Sequence, residues 1–169
     1  MKHLYCPWRQ SYSDDQSAAR QEGASEQECV FCTQLNAHCD EKYLILKRYQ
    51  HNAIIMNIFP YNAGHLLVIP YAHVCDLNQL DPQARQEMME LTNTCTTLLR
   101  QTLSAEGANL GMNLGSIGGA GIPSHIHMHV VPRYARDTNF LVTIADTKAI
   151  SYDLIQTYEK LKKALLNNC

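Results

Sequence analysis

Three histidines spaced two residues apart, His125, His127 and His129, are the densest concentration of reactive groups in the sequence. They lie in Ser124-His125-Ile126-His127-Met128-His129-Val130-Val131-Pro132-Arg133, where apolar residues alternate with imidazoles and Pro132 closes the run. That alternation predicts a β-strand. Side chains alternate between faces along a strand, so the three rings share one face and Ile126, Met128 and Val130 share the other. At a rise of about 3.3 Å per residue the rings stand about 6–7 Å apart. Imidazole serves as nucleophile, acid, base or metal ligand near neutral pH. A purely structural strand would have to find a buried partner for each ring, which favours a working site over a surface row.

Two further patterns carry chemistry. The run Asn113-Leu114-Gly115-Ser116-Ile117-Gly118-Gly119-Ala120-Gly121-Ile122 leads into the histidines. Glycines let backbone N–H groups approach phosphate closely, so this run beside imidazoles reads as a phosphate cradle. Upstream, Cys29-Val30-Phe31-Cys32 has the spacing of half a tetrahedral metal site. The sequence holds no second Cys-x-x-Cys, which leaves histidines as the expected remaining ligands, while His38 and Cys39 lie close enough to substitute. Cys6, Cys75, Cys95 and Cys169 read as ordinary thiols.

A chain of 169 residues is long enough to bury a real core in one domain. Hydrophobic residues at 46% and charged residues at 18% fit a soluble globular protein. A net charge of −2 supplies no attraction for nucleic acid or a membrane surface, and neither is expected as a partner. No apolar run approaches the roughly 18–20 residues that span a bilayer. The stretch Met1 to Arg9 lacks the apolar region of a signal peptide. Seven irregularly spaced cysteines argue against a disulfide framework and for a reducing compartment, so a cytoplasmic location is expected.

The elements that must position these groups follow from local pattern. Residues 1–28 read as an N-terminal extension: Tyr5, Trp8 and Tyr12 form an aromatic docking segment, and Ser13 to Glu28 a mobile polar loop. Residues 29–169 read as a single domain. After Cys32 a short helical segment runs to Asp40. Tyr43–Arg48, Asn52–Asn57 and Gly64–Pro70 are expected strands of an antiparallel meander, with a turn at 60–64. Asp81 caps and Pro82 opens a long helix, in which Met88, Leu91, Cys95, Leu98, Leu99 and Leu103 make one buried face. Gly107 is expected to end it. Asn109–Leu114 reads as a strand before the glycine loop, and Phe140–Ile144 as one more after the histidines. Ser151 is the expected cap of a last helix whose Leu154, Ile155, Tyr158, Leu161 and Leu165 recur at helical spacing. The class is α+β: an antiparallel sheet of about five strands with the long helix and the C-terminal helix packed on it.

His125-Ile-His127-Met-His129-Val-Val resembles the motif of the histidine triad (HIT) family, and the likeness extends along most of the chain. Pro7-Trp8-Arg9, Cys-x-x-Cys, Tyr61-Asn62-Ala63-Gly64-His65-Leu66-Leu67-Val68-Ile69-Pro70 and Pro132-Arg133 with Asp137-Thr138-Asn139-Phe140 resemble the bacterial branch related to diadenosine tetraphosphate phosphorylases and hydrolases. The resemblance implies cleavage of an AMP-containing dinucleoside polyphosphate through a nucleotidyl-histidine adduct. His127 would be the nucleophile, its proton held on the backbone carbonyl of His125, and His129 would bind phosphate oxygens and offset developing charge. Asn113 matches a position that touches the phosphate chain, with Gly119, Gly121 and Ile122 beside it. Asn57 matches a position that bonds the ribose hydroxyls, and Ile55 and Ile58 flank it as a candidate base slot. The resemblance also implies a structural Zn2+ held by Cys29, Cys32, His73 and His125, and a homodimer. One departure stands out. Many relatives carry Ser or Thr three residues before the first histidine, where this chain has Ile122 in a loop that looks one residue longer. Loss of that hydroxyl weakens the alternative reading as a nucleoside phosphoramidase. A non-catalytic nucleotide- or zinc-binding module would have no need of the intact triad.

Overall fold

The computed structural model describes residues 29–135, 137 and 152–167. The aromatic segment and loop expected in residues 1–28, the strand expected at Phe140–Ile144 and the Ser151 cap lie outside the described residues. In chain order the elements are α1 (Val30–Asn36), β1 (Ile45–Arg48), β2 (Asn52–Met56), β3 (Leu66–Pro70), a 3-10 turn (Leu77–Gln79), α2 (Pro82–Leu103), β4 (Gly107–Gly111), β5 (Met128–Arg133) and α3 (Leu154–Asn167). The five strands form one antiparallel sheet in the order β1-β2-β3-β5-β4. The class is α+β, as the sequence predicts.

Both faces of the sheet are covered, which is why β2 and β3 read as unbroken apolar runs. Ile54, Met56, Leu66 and Val68 point to one face, where α2 and α3 pack through Met88, Cys95, Leu99, Tyr158 and Leu161. Ala53, Ile55, Leu67 and Ile69 point to the other, where Phe31, Cys32 and Leu35 of α1 pack together with Ile122. The second face carries the chemistry. β5 follows the same parity: Val130 lies in the α2–α3 core with Met128 packed against it, while His129 pairs with Leu67 on the α1 side.

Several boundaries differ from the sequence expectation, each for a physical reason. The histidine strand does not start at Ser124 but at Met128. In the register that pairs Val68 with Met128, Ile126 would fall opposite Pro70, which has no N–H to donate. The N–H of Ile126 goes instead to the Val74 carbonyl at 2.7 Å. Nor does Pro132 close the strand, which runs to Arg133. Pairing with β3 has ended by then, and Asn62 Nδ2 donates to the Pro132 carbonyl at 2.9 Å, so the missing N–H breaks no ladder bond. The long helix opens as expected, with Asp81 Oδ1 accepting from the N–H of Gln83 at 2.8 Å. It ends at Leu103 with Ser104 in the left-handed region at φ 56°, and Gly107 begins β4. β4 thus spans Gly107–Gly111, two residues ahead of the expected Asn109–Leu114, because its pairing with β5 ends at Gly111 and His129. In α3, Asp153 Oδ1 accepts from the N–H of Gln156, making Asp153 the cap. Ile155 is 54% exposed and takes no part in the buried face of that helix.

Candidate active site

Two rings of the triad, His125 and His127, are held by backbone carbonyls that set their tautomers, and His129 is held by the side chain of His65. His127 Nδ1 lies 2.9 Å from the backbone carbonyl of His125. A carbonyl only accepts, so Nδ1 carries the proton and the lone pair is on Nε2. Burial pushes the His127 pKa below its ordinary value, and the bond to the carbonyl opposes that. The ring is therefore neutral near pH 7, as a nucleophilic imidazole must be. Its neighbour is His129, with ring centroids 4.8 Å apart and planes at 66°. The pair stands closer than the roughly 6–7 Å strand repeat, because His127 precedes the paired strand and its ring leans toward His129.

His65 completes this arrangement. Its Nδ1 accepts from the N–H of Tyr61 at 3.2 Å, and an amide N–H can only donate. The His65 proton is consequently on Nε2, which donates to His129 Nδ1 at 3.0 Å. His129 must then carry its own proton on Nε2, a donor suited to phosphate oxygen. Burial, reinforced by His129 and His127, pushes the His65 pKa down to about 3, so its acceptor nitrogen stays free of a second proton. On sequence alone His65 is assigned no part in the site. Its parity with Leu67, a site-facing residue two positions along, is the signal that could have placed it beside the triad.

A cavity of about 280 Å³ opens in front of His127 and His129. Of the residues expected at the substrate, Asn57, Asn113, Gly121 and Ile122 line it. Gly119 is not among the lining residues; its N–H is bonded to the Ser116 carbonyl at 3.0 Å, and its carbonyl accepts from Asn113 Nδ2 at 3.3 Å. Ala120 N–H is likewise bonded to the Gly115 carbonyl, so part of the expected cradle is turned inward on the loop itself. Asn57 donates from Nδ2 to His65 Nδ1 and accepts from the N–H of Phe59, which leaves one donor hydrogen and one lone pair for a ligand. Ile55, Ile58, Phe59, Leu67, Val30 and Phe31 make the apolar part of the wall. Phe31 was not singled out by sequence. It meets the ring of His127 edge-on at 5.0 Å and that of His125 at 5.6 Å. Ile122 is buried in one apolar cluster with Ile55 and Leu67, and its side chain offers the cavity no hydroxyl.

His125 is turned away from this cavity. With Cys29, Cys32 and His73 it forms a cluster whose ligand atoms all lie within 4.8 Å of one another. Cys29 Sγ and Cys32 Sγ are each 3.4 Å from His125 Nδ1, and Cys32 Sγ is 3.3 Å from His73 Nδ1. A tetrahedral zinc with Zn–S of about 2.3 Å and Zn–N of about 2.0 Å requires edges of about 3.5 Å. The cluster fits that ion. His125 Nε2 lies 2.9 Å from the Pro70 carbonyl and donates to it, which leaves Nδ1 as the ligating nitrogen. Burial pushes the His125 pKa down to about 4, keeping that lone pair available. Cys39, which is exposed, and His38 stay outside the cluster, and none of the five described cysteines is in a disulfide. Among the described residues no helix is long and apolar enough to cross a membrane.

An antiparallel α+β sheet that sets three histidines between a Cys2His2 cluster and an apolar-walled cavity defines a class of protein. The chain belongs to the histidine triad family, with residues 41–136 matching the HIT domain. It is 31% identical over 150 residues to an AP-4-A phosphorylase of Mycobacterium tuberculosis, covering 89% of this chain and 77% of that one. A shorter match, 29% over 93 residues, is to an asymmetrical bis(5'-nucleosyl)-tetraphosphatase of Schizosaccharomyces pombe, covering 55% of this chain and 50% of that protein. Among solved structures it resembles a zinc-bound histidine triad family protein from Mycobacterium smegmatis, at a TM-score of 0.68 and 26% identity, covering 85% and 97% of the two chains.

Proposed function

We propose that this protein cleaves dinucleoside polyphosphates, with diadenosine tetraphosphate as the substrate to test first, by transferring a nucleotidyl group through His127. The observation that carries the reading is the orientation of His127: Nδ1–H on the His125 carbonyl, with an unprotonated Nε2 beside the His129 ring at the cavity. In the first step the Nε2 lone pair forms a bond to the α-phosphorus while the P–O bond to the leaving polyphosphate breaks, the oxygen keeping the electron pair. In the second, an oxygen of water or inorganic phosphate attacks that phosphorus, and the N–P electrons return to Nε2. His129 Nε2–H stabilises charge on the non-bridging oxygens. Asn113 and Gly121 hold the phosphate chain, Asn57 the ribose, and the apolar wall the base. The AP-4-A phosphorylase relative favours phosphate as the acceptor.

Cys29, Cys32, His73 and His125 would hold a structural zinc, whose closed coordination leaves no position for substrate. Its contribution would be to fix α1 and His125, and through the His125 carbonyl the His127 tautomer. Two copies of the chain are proposed to pair as a homodimer.

Incubating the protein with diadenosine tetraphosphate, with and without inorganic phosphate, tests the reading. ADP and ATP formed only with phosphate identify a phosphorylase, whereas AMP and ATP formed without it identify a hydrolase. His127→Asn should lower turnover by at least about a thousandfold yet retain AMP binding. Turnover that survives this substitution would rule out the covalent route.

A further inference from the structure

Seven side chains with polar groups line the cavity, and five of them already have a place: His127, His129, Asn57, Asn113, and Tyr61, whose ring stacks at 22° on His129. Gln34 and Tyr43 remain. Gln34 is half-buried, and its amide makes no hydrogen bond to any described residue. It follows Val30 by four residues and Phe31 by three, so the three side chains share one face of α1, and all three line the cavity. Cys29 and Cys32 pin the first turn of α1 against His125. Gln34 therefore stands about one turn, or 5 Å, further out along the same wall than Phe31, whose ring touches His127.

We propose that Gln34 is a specificity-determining residue that reads the hydrogen-bonding edge of the substrate's base. The inference rests on the reading of the cavity as a nucleotide site. With phosphorus at His127 and ribose at Asn57, a base lying on Phe31 and Ile55 directs its polar edge toward the second turn of α1. An otherwise apolar slot accepts any flat ring, so discrimination between bases must come from the polar groups that border it. An amide presents one acceptor beside one donor, the complement of the amino group and adjacent ring nitrogen of adenine. A carboxylate presents two acceptors, the complement of the two adjacent donors on guanine.

The test is calorimetric titration of the full chain with AMP and with GMP, comparing the parent protein with Gln34→Glu and Gln34→Leu. The ratio of the two affinities is the readout, because charge repulsion between Glu and phosphate weakens both ligands alike and cancels. Gln34→Glu is expected to shift the ratio toward GMP by about tenfold or more, and Gln34→Leu to weaken AMP by about tenfold. If the parent binds AMP and neither variant changes the ratio by as much as twofold, Gln34 does not read the base and the proposal fails. If the parent binds neither nucleotide, the nucleotide site itself fails and the proposal with it. Circular dichroism of the variants confirms that α1 is retained, as expected for a half-buried position on a helix whose core contacts are Phe31, Cys32 and Leu35.

Discussion

Backbone groups, not other charges, hold the histidines in their working forms. The carbonyls of Pro70 and His125 and the N–H of Tyr61 each leave one ring nitrogen no choice of role. In the proposed reaction His65 is a positioning residue: it touches His129 rather than substrate, and fixes which His129 nitrogen carries the proton. His65→Phe should lower kcat by about a hundredfold with KM little changed, and His65→Gln, which keeps an acceptor for Tyr61 and a donor for His129, should recover most of that loss. A loss confined to KM would instead make His65 a binding residue. The same histidine links pH to stability. Its pKa is about 3 in the folded protein and 6.5 for the free residue, so between these values the unfolded chain binds a proton that the folded chain refuses. Stability is then independent of this group above pH 6.5 and falls as the pH drops through the window toward 3. Urea midpoints measured from roughly pH 6 to pH 4 should decline less steeply for His65→Phe than for the parent.

At the scale of elements, α1 joins the Cys2His2 cluster to the cavity. It is only seven residues long, too short to be stable alone, and it places Cys29, Phe31 and Cys32 within one turn. The cysteines face His125 and His73, while Phe31 reaches the ring of His127. Removing zinc with a chelator should therefore lower both the thermal midpoint and the affinity for AMP, the latter by about tenfold or more, and added zinc should restore both. Cys32→Ala should reproduce the effect, whereas Cys75→Ser, at an exposed thiol outside the cluster, should not. An affinity for AMP that is indifferent to the metal would separate α1 from the nucleotide site. The long helix α2 was legible in the sequence because Asp81, Pro82 and the 3–4-residue apolar spacing are local signals. The start of β5 was not, because it depends on which residue of a strand nearly sixty positions away lies opposite, and that residue is Pro70.

Across the whole molecule, the sheet separates a packing face from a chemical face. The larger core between the sheet and the helices α2 and α3 holds β2, β3 and β5 in register, and that register brings His65 and His129 together on the opposite side. Among the described residues β4 is an edge of the sheet, paired with β5 alone, and Leu110 is 51% exposed. An edge strand of this kind is suited to pairing with a second copy, which supports the proposed homodimer. Leu110→Lys should shift the molecule toward monomer in size-exclusion chromatography with light scattering. A parent protein that is monomeric at all concentrations would remove β4 as an interface.

Residue type and spacing determined, without any structure, the α+β class and the family, since alternation, helical period and short motifs are properties of the local backbone, while the resemblance to that family named Cys29, Cys32, His73 and His125, which the fold brings together. Tertiary structure decided the rest. Phe31 and His65 join the site, Gly119 stands off the cavity wall, and the strand begins at Met128 rather than Ser124. Sequence spacing records which way a side chain points along its own element. Which nitrogen of His129 carries a proton depends on His65, and the lone pair of His125 on Pro70, contacts 64 and 55 residues apart that exist only after the sheet has closed.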